Sequence, residues 1–303
     1  MEGIVNLLKT PGMTSHDCIN AVRRLLGEKR VGHTGTLDPM ASGVLPVCVG
    51  KATRLVEYSL DYKKQYRAEM IIGLTSDTQD VTGKILTSKN ASGVTEEKVL
   101  KALENFTGEM EQVVPAYSAV KHQGKKLYEL ARKGASIPKK NRNIVIYKIS
   151  LFRYYPAEDY PRVIFDVVCS KGTYIRTICS DLGDYLGPGA VMSFLSRTAS
   201  GPFLLEESVT LEEIEASLQS GNLKFLKPMG ILVNHLPCIE LKSSAVKYIK
   251  NGTAVNGRYF KVAGPVADNS LVRLENAGRL VGIGILSRED NGACLVKPKK
   301  VLI

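Results

Sequence analysis

The chain has 303 residues, 44% of them hydrophobic, and its 41 Lys and Arg against 30 Asp and Glu leave a net charge of +11. That composition excludes a disordered polymer, fits two domains, and favours a polyanionic partner, nucleic acid before anionic membrane. No run approaches the ~18 apolar residues of a membrane span, no basic leader precedes an apolar segment, and the six cysteines form no CxxC pair. A disulfide framework and a zinc site are therefore not expected, and the compartment reads as reducing, hence cytoplasmic.

Ile4 to Leu8 reads as a short buried strand leading into a turn. Thr14-Ser15-His16-Asp17 has the form of a capping box, and Cys18, Ile19, Val22, Leu25 and Leu26 follow at helical spacing until Gly27. Arg23, Arg24, Lys29 and Arg30 make a basic exit toward Val31–Gly50, VGHTGTLDPMASGVLPVCVG. This stretch holds one carboxylate, Asp38, among Gly32, Gly35 and Gly43, with His33 upstream and an apolar strand-like run behind. Pro39 pushes Asp38 onto extended or turn backbone. Such an acid is either a turn aspartate or a reactive group on a loop that a bulky partner can approach.

Gln65 to Gly73 reads as a strand with Tyr66, Ala68, Met70 and Ile72 on one face. The TSDTQDVTG segment after it, with Asp77 and Asp80, reads as a solvated turn in preference to a metal site, because no His or further acid joins the pair. Thr95 caps an expected helix over Glu96–Phe106. Residues 121–143 carry Lys121, Lys125, Lys126, Arg132, Lys133, Lys139, Lys140 and Arg142 against one acid, Glu129. Gly124, Gly134 and Pro138 divide this segment, which is either a solvated insertion or an arm closing on a phosphate backbone; the basic chain favours the arm.

Val163 to Cys169 is a predicted strand, and Lys171-Gly172-Thr173-Tyr174 turns it into a helix with Ile175, Ile178, Leu182, Tyr185 and Leu186 on one face. Thr210 and Glu213 form a second capping box ahead of LEEIEASL. From about Pro237 the segments become short and β-rich, divided by Gly, Asn and Asp turns, as in a small domain of about 65 residues packed directly on the first. No internal repeat is evident.

GHTGTLDPMASGVLPVCVGKATR (residues 32–54) carries a resemblance to the bacterial TruB-type tRNA pseudouridine synthases. LLKTPGMTSHD, KKQYRAEMIIGLTSDTQDVTG, PAYSAVKHQGKKLYELARKG, CSKGTYIRTICSDLG and FLSRTASGPF extend it over nearly the whole chain, and the tail resembles a PUA-type RNA-binding domain. Lys9-Thr10-Pro11-Gly12 departs from the family pattern by placing its proline one position late.

The resemblance implies a mixed α+β pseudouridine-synthase fold, with a central, mostly antiparallel sheet flanked by helices and loops. It implies a catalytic domain at 1–236, with the basic arm at about 121–143, and a PUA-like domain at 237–303. Asp38 would be the catalytic aspartate, Tyr66 the aromatic against the target base, and Arg176 the partner that aims Asp38. Tyr174 would line the pocket, Leu195 supply an apolar wall, His33 occupy the space near the displaced nucleotide, and Lys9 contribute to substrate binding. Lys125, Lys126, Arg132, Lys133, Lys139 and Lys140 would meet the RNA backbone. By pattern alone Tyr174 and Leu195 read as core and His33 as a loop hydrogen-bonder.

The implied reaction breaks the N-glycosidic bond of a tRNA T-arm uridine at position 55, turns the uracil and rejoins it through C5. This needs no redox partner, metal or cofactor, and no obligatory protein partner is expected of what reads as a monomer. The base must first be flipped out at a cost of a few kcal/mol, which stacking worth roughly 1–3 kcal/mol offsets. Asp38 could attack C1′ or C6, or take a proton from C2′, and these routes stay open. The alternative class is an RNA-binding protein acting by T-arm remodelling. A methyltransferase lacks its glycine-rich loop here, and a GxSxG hydrolase its nucleophile elbow.

Overall fold

A computed structural model describes residues 1–59, 61–118, 120–131, 133–135, 140–289 and 292–303. The first half contains β1 (Gly3–Lys9), α1 (Ser15–Leu26), β2 (Val31–His33), β3 (Ser42–Val49), α2 (Val56–Ser59), β4 (Lys64–Ile72), β5 (Leu74–Ser76), β6 (Ile85–Ser88), α3 (Glu96–Glu104), β7 (Gly108–Val113), β8 (Lys121–His122), β9 (Lys125–Lys126) and α4 (Leu127–Ala131). Then come β10 (Asn141–Tyr155), β11 (Arg162–Cys169), α5 (Ile175–Leu186), β12 (Ala190–Ser200), β13 (Phe203–Leu204), α6 (Leu211–Gln219) and β14 (Leu226–Lys227). The remainder is β15 (Cys238–Leu241), α7 (Ser243–Lys250), β16 (Val255–Asn256), β17 (Phe260–Val262), β18 (Ser270–Asn276), β19 (Arg279–Arg288) and β20 (Cys294–Val301).

The large sheet runs β14-β1-β3-β12-β4-β11-β10-β7, with β2 on β3 and β13 on β12. Its pairings are antiparallel apart from β3 with β12, which meet in parallel where Ser42 and Gly43 face Ser196 and Arg197. Gly43 is required there: its φ is 105°, and a Cβ would lie 2.3 Å from the Arg197 carbonyl oxygen. A smaller sheet, β16-β20-β19-β18-β15-β17, forms the C-terminal part. The architecture is the mixed, mostly antiparallel one expected.

Alternation along the strands sorts the side chains into separate cores. Ala68, Met70 and Ile72 of β4 and Val163, Phe165 and Val167 of β11 pack under α3 and α5. Val5 and Leu7 of β1, with Leu45, Val47 and Val49 of β3, pack against Cys18, Ile19 and Val22 of α1 and Ile214 of α6. The opposite faces of the same two strands, Ile4, Val44 and Cys48, meet Leu232 and Val233, just ahead of β15, and Ile283 and Leu302 from the C-terminal part. Arg54 donates to the Val301 carbonyl at 2.5 Å, and Lys300 pairs with Glu57 at 2.7 Å across this junction. The two parts thus pack directly through one shared apolar layer.

Local signals explain most boundaries. Thr14 and Asp17 close a capping box at the start of α1, and Gly27 ends it in the left-handed conformation. Thr210 and Glu213 do the same for α6. α3 stops at Glu104, two residues before the expected Phe106. Tyr185, expected on the buried face of α5, is instead 58% exposed, edge-on to Phe106 with its hydroxyl accepting from Asn105. No helix of the described residues is long and apolar enough to cross a membrane.

Candidate active site

Asp38 sits on the loop between β2 and β3, where Ala41 N–H donates to its carbonyl at 3.1 Å. Ser15 anchors the loop from α1, its Oγ donating to Leu37 O at 3.1 Å and accepting from Leu37 N at 2.9 Å. Arg176, in the first turn of α5, donates through Nε to Asp38 Oδ2 at 2.9 Å and through Nη2 to Oδ1 at 3.4 Å. The guanidinium is 5% exposed and the carboxylate 40%, so a buried cation holds a half-open anion. Arg176 also donates to the carbonyls of Thr78 (3.2 Å) and Tyr117 (3.0 Å), which ties three loops to one side chain.

Tyr66 lies on the helix-covered face of β4, and the register sets it opposite Arg197 of β12, with Ala68 opposite Leu195. Burial pushes the Tyr66 phenol pKa up, while the charge and bonding of Arg197 pull it down and Asp38 adds a smaller upward push. A protonated ring beside the carboxylate, with the buried Leu195 (7% exposed) on the next strand, makes a floor suited to stacking a flat base. Tyr174 caps α5 and is clamped by Gln112, which accepts from its N–H at 2.8 Å and donates to its carbonyl at 3.0 Å.

His33 ends β2, and its Nδ1 accepts from Gly35 N–H at 3.2 Å. Burial lowers its pKa, reinforced by Arg197 and His16, which favours the neutral ring that accepts from Gly35. Lys9 departs from the expected picture: it is 0% exposed, and its Nζ donates to the carbonyls of Thr10 (3.1 Å), Pro39 (2.9 Å) and Ala41 (2.6 Å). It pins the Asp38 loop from beneath instead of facing the opening, and burial lowers its pKa.

The structure therefore gathers Asp38, Arg176, Tyr66 and Leu195, with His33 and Lys9 supporting the loop. The basic arm starts with the β8–β9 hairpin and α4; Lys125 and Lys133 are exposed on it. Arg132, Lys139 and the side chain of Lys126 lie outside the described residues.

Two residues escaped the sequence reading. Asp80 is no solvated turn residue: its Oδ1 accepts from Thr78 Oγ1, Thr82 N and Thr82 Oγ1 at 2.6–2.9 Å, and its Oδ2 lies 3.9 Å from Arg176 Nε. Arg197, 1% exposed, lay inside the quoted FLSR motif. A polar turn and a lone arginine carry no burial signal, so only topology reveals them. Among the described residues, the group close enough to share a metal is Cys238, Glu240 and Glu275, on the C-terminal sheet, where Arg273 already lies 2.8 Å from Glu275.

The chain resembles the structures titled "Structure of H/ACA RNP bound to a substrate RNA containing 2'-deoxyuridine" (TM-score 0.75, 27% identity, 99% of this chain and 85% of that one) and "Crystal Structure of a Cbf5-Nop10-Gar1 Complex" (TM-score 0.74, 30% identity, 99% and 85%). Residues 23–175 match the family model for the TruB family pseudouridylate synthase N-terminal domain, and residues 176–233 match that for the tRNA pseudouridylate synthase B C-terminal domain. A mixed sheet whose loop aspartate is gripped by arginine beside a tyrosine floor is, on these grounds, a pseudouridine synthase. Proteins named tRNA pseudouridine synthase B from Moorella thermoacetica (45% identity over 99% of both chains) and Alkaliphilus oremlandii (43% over 100% of this chain and 99% of that one) align end to end with it. The chain belongs to the TruB family.

Proposed function

We propose that this protein converts the uridine at position 55 in the T arm of tRNA to pseudouridine, with Asp38 as the essential group. The observation that carries the reading is the Asp38–Arg176 pair, a half-open carboxylate aimed by a buried bidentate guanidinium beside the Tyr66 ring. Full-length relatives named for tRNA pseudouridine synthesis support the choice of substrate.

In this reading the flipped uracil stacks on Tyr66 against Leu195, and His33 fills the space the nucleotide leaves. Arg176 holds Asp38 in one orientation, so the carboxylate meets the ribose or base without first reorganising. Attack at C1′ or C6 and proton abstraction at C2′ all begin from that geometry. The arm around 121–143, through Lys125, Lys126, Arg132, Lys133, Lys139 and Lys140, contacts phosphates. Residues 1–236 form the catalytic domain and 237–303 a PUA-like domain that adds affinity for RNA. The enzyme acts as a single chain in the cytoplasm.

Pseudouridine mapping in tRNA treated with wild-type protein and with Asp38→Ala tests the reading. The expected result is full modification at position 55 by wild type and none by the variant, with RNA affinity retained. Turnover by Asp38→Ala, or modification elsewhere alone, overturns it.

A further inference from the structure

We infer that Arg197 is a positioning residue of the isomerisation, a buried cation that fixes both limbs of the Asp38 loop against the ring of Tyr66. The inference rests on the reading above, in which Asp38 reacts and Tyr66 stacks the base.

Arg197 is among the largest fully buried side chains of the molecule, yet no salt bridge among the described residues includes it. Its Nε donates to the Val44 carbonyl at 2.7 Å and its Nη2 to the Gly35 carbonyl at 3.0 Å. Those two carbonyls lie on either side of Asp38, one where the chain enters the loop and the other where it leaves along β3. The same residue stands opposite Tyr66 in the β4–β12 register, and its charge and bonding act on the Tyr66 phenol. One guanidinium therefore bonds both the entry of the loop and its exit, from the strand position that faces Tyr66 across the β4–β12 register.

The energetics favour a functional account. A guanidinium removed from water with no carboxylate beside it is costly, and an apolar side chain would fill the same volume at lower cost. An apolar side chain would not hold two carbonyls at a set spacing, and a lysine lacks the planar fork whose Nε and Nη2 reach one carbonyl each. Lys9 grips Pro39 and Ala41 from the β1 side, so the loop is fixed at its middle by one cation and at its ends by the other. Gly43 lies directly against the Arg197 backbone, where an added Cβ would come within 2.3 Å of its carbonyl oxygen, so β3 and β12 are tightly apposed at this position.

The test uses the full chain with a T-arm stem-loop RNA. Single-turnover rate at saturating RNA, RNA dissociation constant and thermal melting are measured for wild type, Arg197→Lys and Arg197→Met. A misplacement near 1 Å predicts a rate loss of about 10²-fold for Arg197→Met and about tenfold for Arg197→Lys, with RNA affinity within about threefold of wild type. A merely structural role would lower melting temperature while leaving the rate of the folded fraction intact, and that outcome overturns the inference. Should Arg197→Met fail to fold, Arg197→Lys decides: a rate within about twofold of wild type at full RNA occupancy refutes the positioning role. Inactive wild type would overturn the uridine reading and this role together, whereas active wild type with unimpaired variants overturns the role of Arg197 alone.

Discussion

Arg176 grips Asp38 through two nitrogens, and the burial of the pair is lopsided, 5% for the arginine against 40% for the aspartate. The cation is locked by the carbonyls of Thr78 and Tyr117, so only the carboxylate has room to respond when a substrate arrives. Arg176→Lys keeps the charge but not the fork, and its single-turnover rate is expected to fall about 10²-fold with RNA binding nearly unchanged. Stopped-quench kinetics beside filter binding checks the split.

Asp80 organises its own turn through Thr78 and Thr82 and adds a second negative charge behind Arg176. Asp80→Asn retains the shape and removes the charge. A melting-point drop equivalent to about 1 kcal/mol and a rate loss near tenfold are expected, since charge-assisted bonds exceed neutral ones in strength. A wild-type rate in this variant would show that Asp80 serves only the turn.

Lys64 provides a pH signature. Burial lowers its pKa from 10.5 to about 8, so the folded state resists the charge that the unfolded chain carries. The penalty is complete below pH 8 and is relieved as pH rises from about 8 to about 10.5, because in that window the unfolded state binds the extra proton. Stability of wild type relative to Lys64→Met should therefore rise across this window, by up to about 3 kcal/mol. Urea melts of both proteins at pH 7.5 and pH 10 check the sign; parallel behaviour would refute it.

Gly43→Ala puts a methyl group into the Arg197 backbone, at the only place where β3 and β12 pair in parallel among the described residues. Overpacking and left-handed strain together predict a loss of about 3 kcal/mol or more. Gly12→Ala, with open space around the added carbon and a similar φ of 90°, should bear the conformational part alone and lose less. Chemical denaturation of the two variants side by side separates the contributions.

The arm gives an electrostatic prediction. Changing Lys125, Lys126, Lys139 and Lys140 together to Gln should flatten the dependence of log affinity on log salt by roughly 0.7–0.9 for each phosphate that is no longer neutralised. The rate at saturating RNA should stay near wild type. An unaltered salt slope would remove the arm from the interface.

Much of the fold is legible in the sequence, and the failures have physical causes. The Asp38 loop, α1, α6, β4 and β11 announce themselves because capping boxes, prolines and unbroken alternation are local signals. β10 is the longest strand among the described residues, yet its alternation is interrupted by register shifts between Ile146 and Lys148 and between Leu151 and Arg153, which turn Tyr147 and Phe152 out of phase. β12 hides for the same reason, with shifts at Met192/Phe194 and Arg197/Ala199. Lys9 is identifiable as important, but its burial against the carbonyls of Pro39 and Ala41 depends on a loop about thirty residues away.

The long-range grips on the Asp38 loop also set a schedule. Arg176 lies 138 residues after Asp38, and Arg197 lies 153 residues after Val44. At ~5–20 residues per second of synthesis, the aspartate emerges roughly 10–30 s before its last clamp is made. A chain still on the ribosome thus carries the Asp38 carboxylate before the arginine contacts that orient it in the folded protein have formed. Under the proposed roles of Asp38 and Arg197, a fragment truncated before β12 is expected to be inert toward uridine, so the topology would delay activity until nearly two thirds of the polypeptide exists.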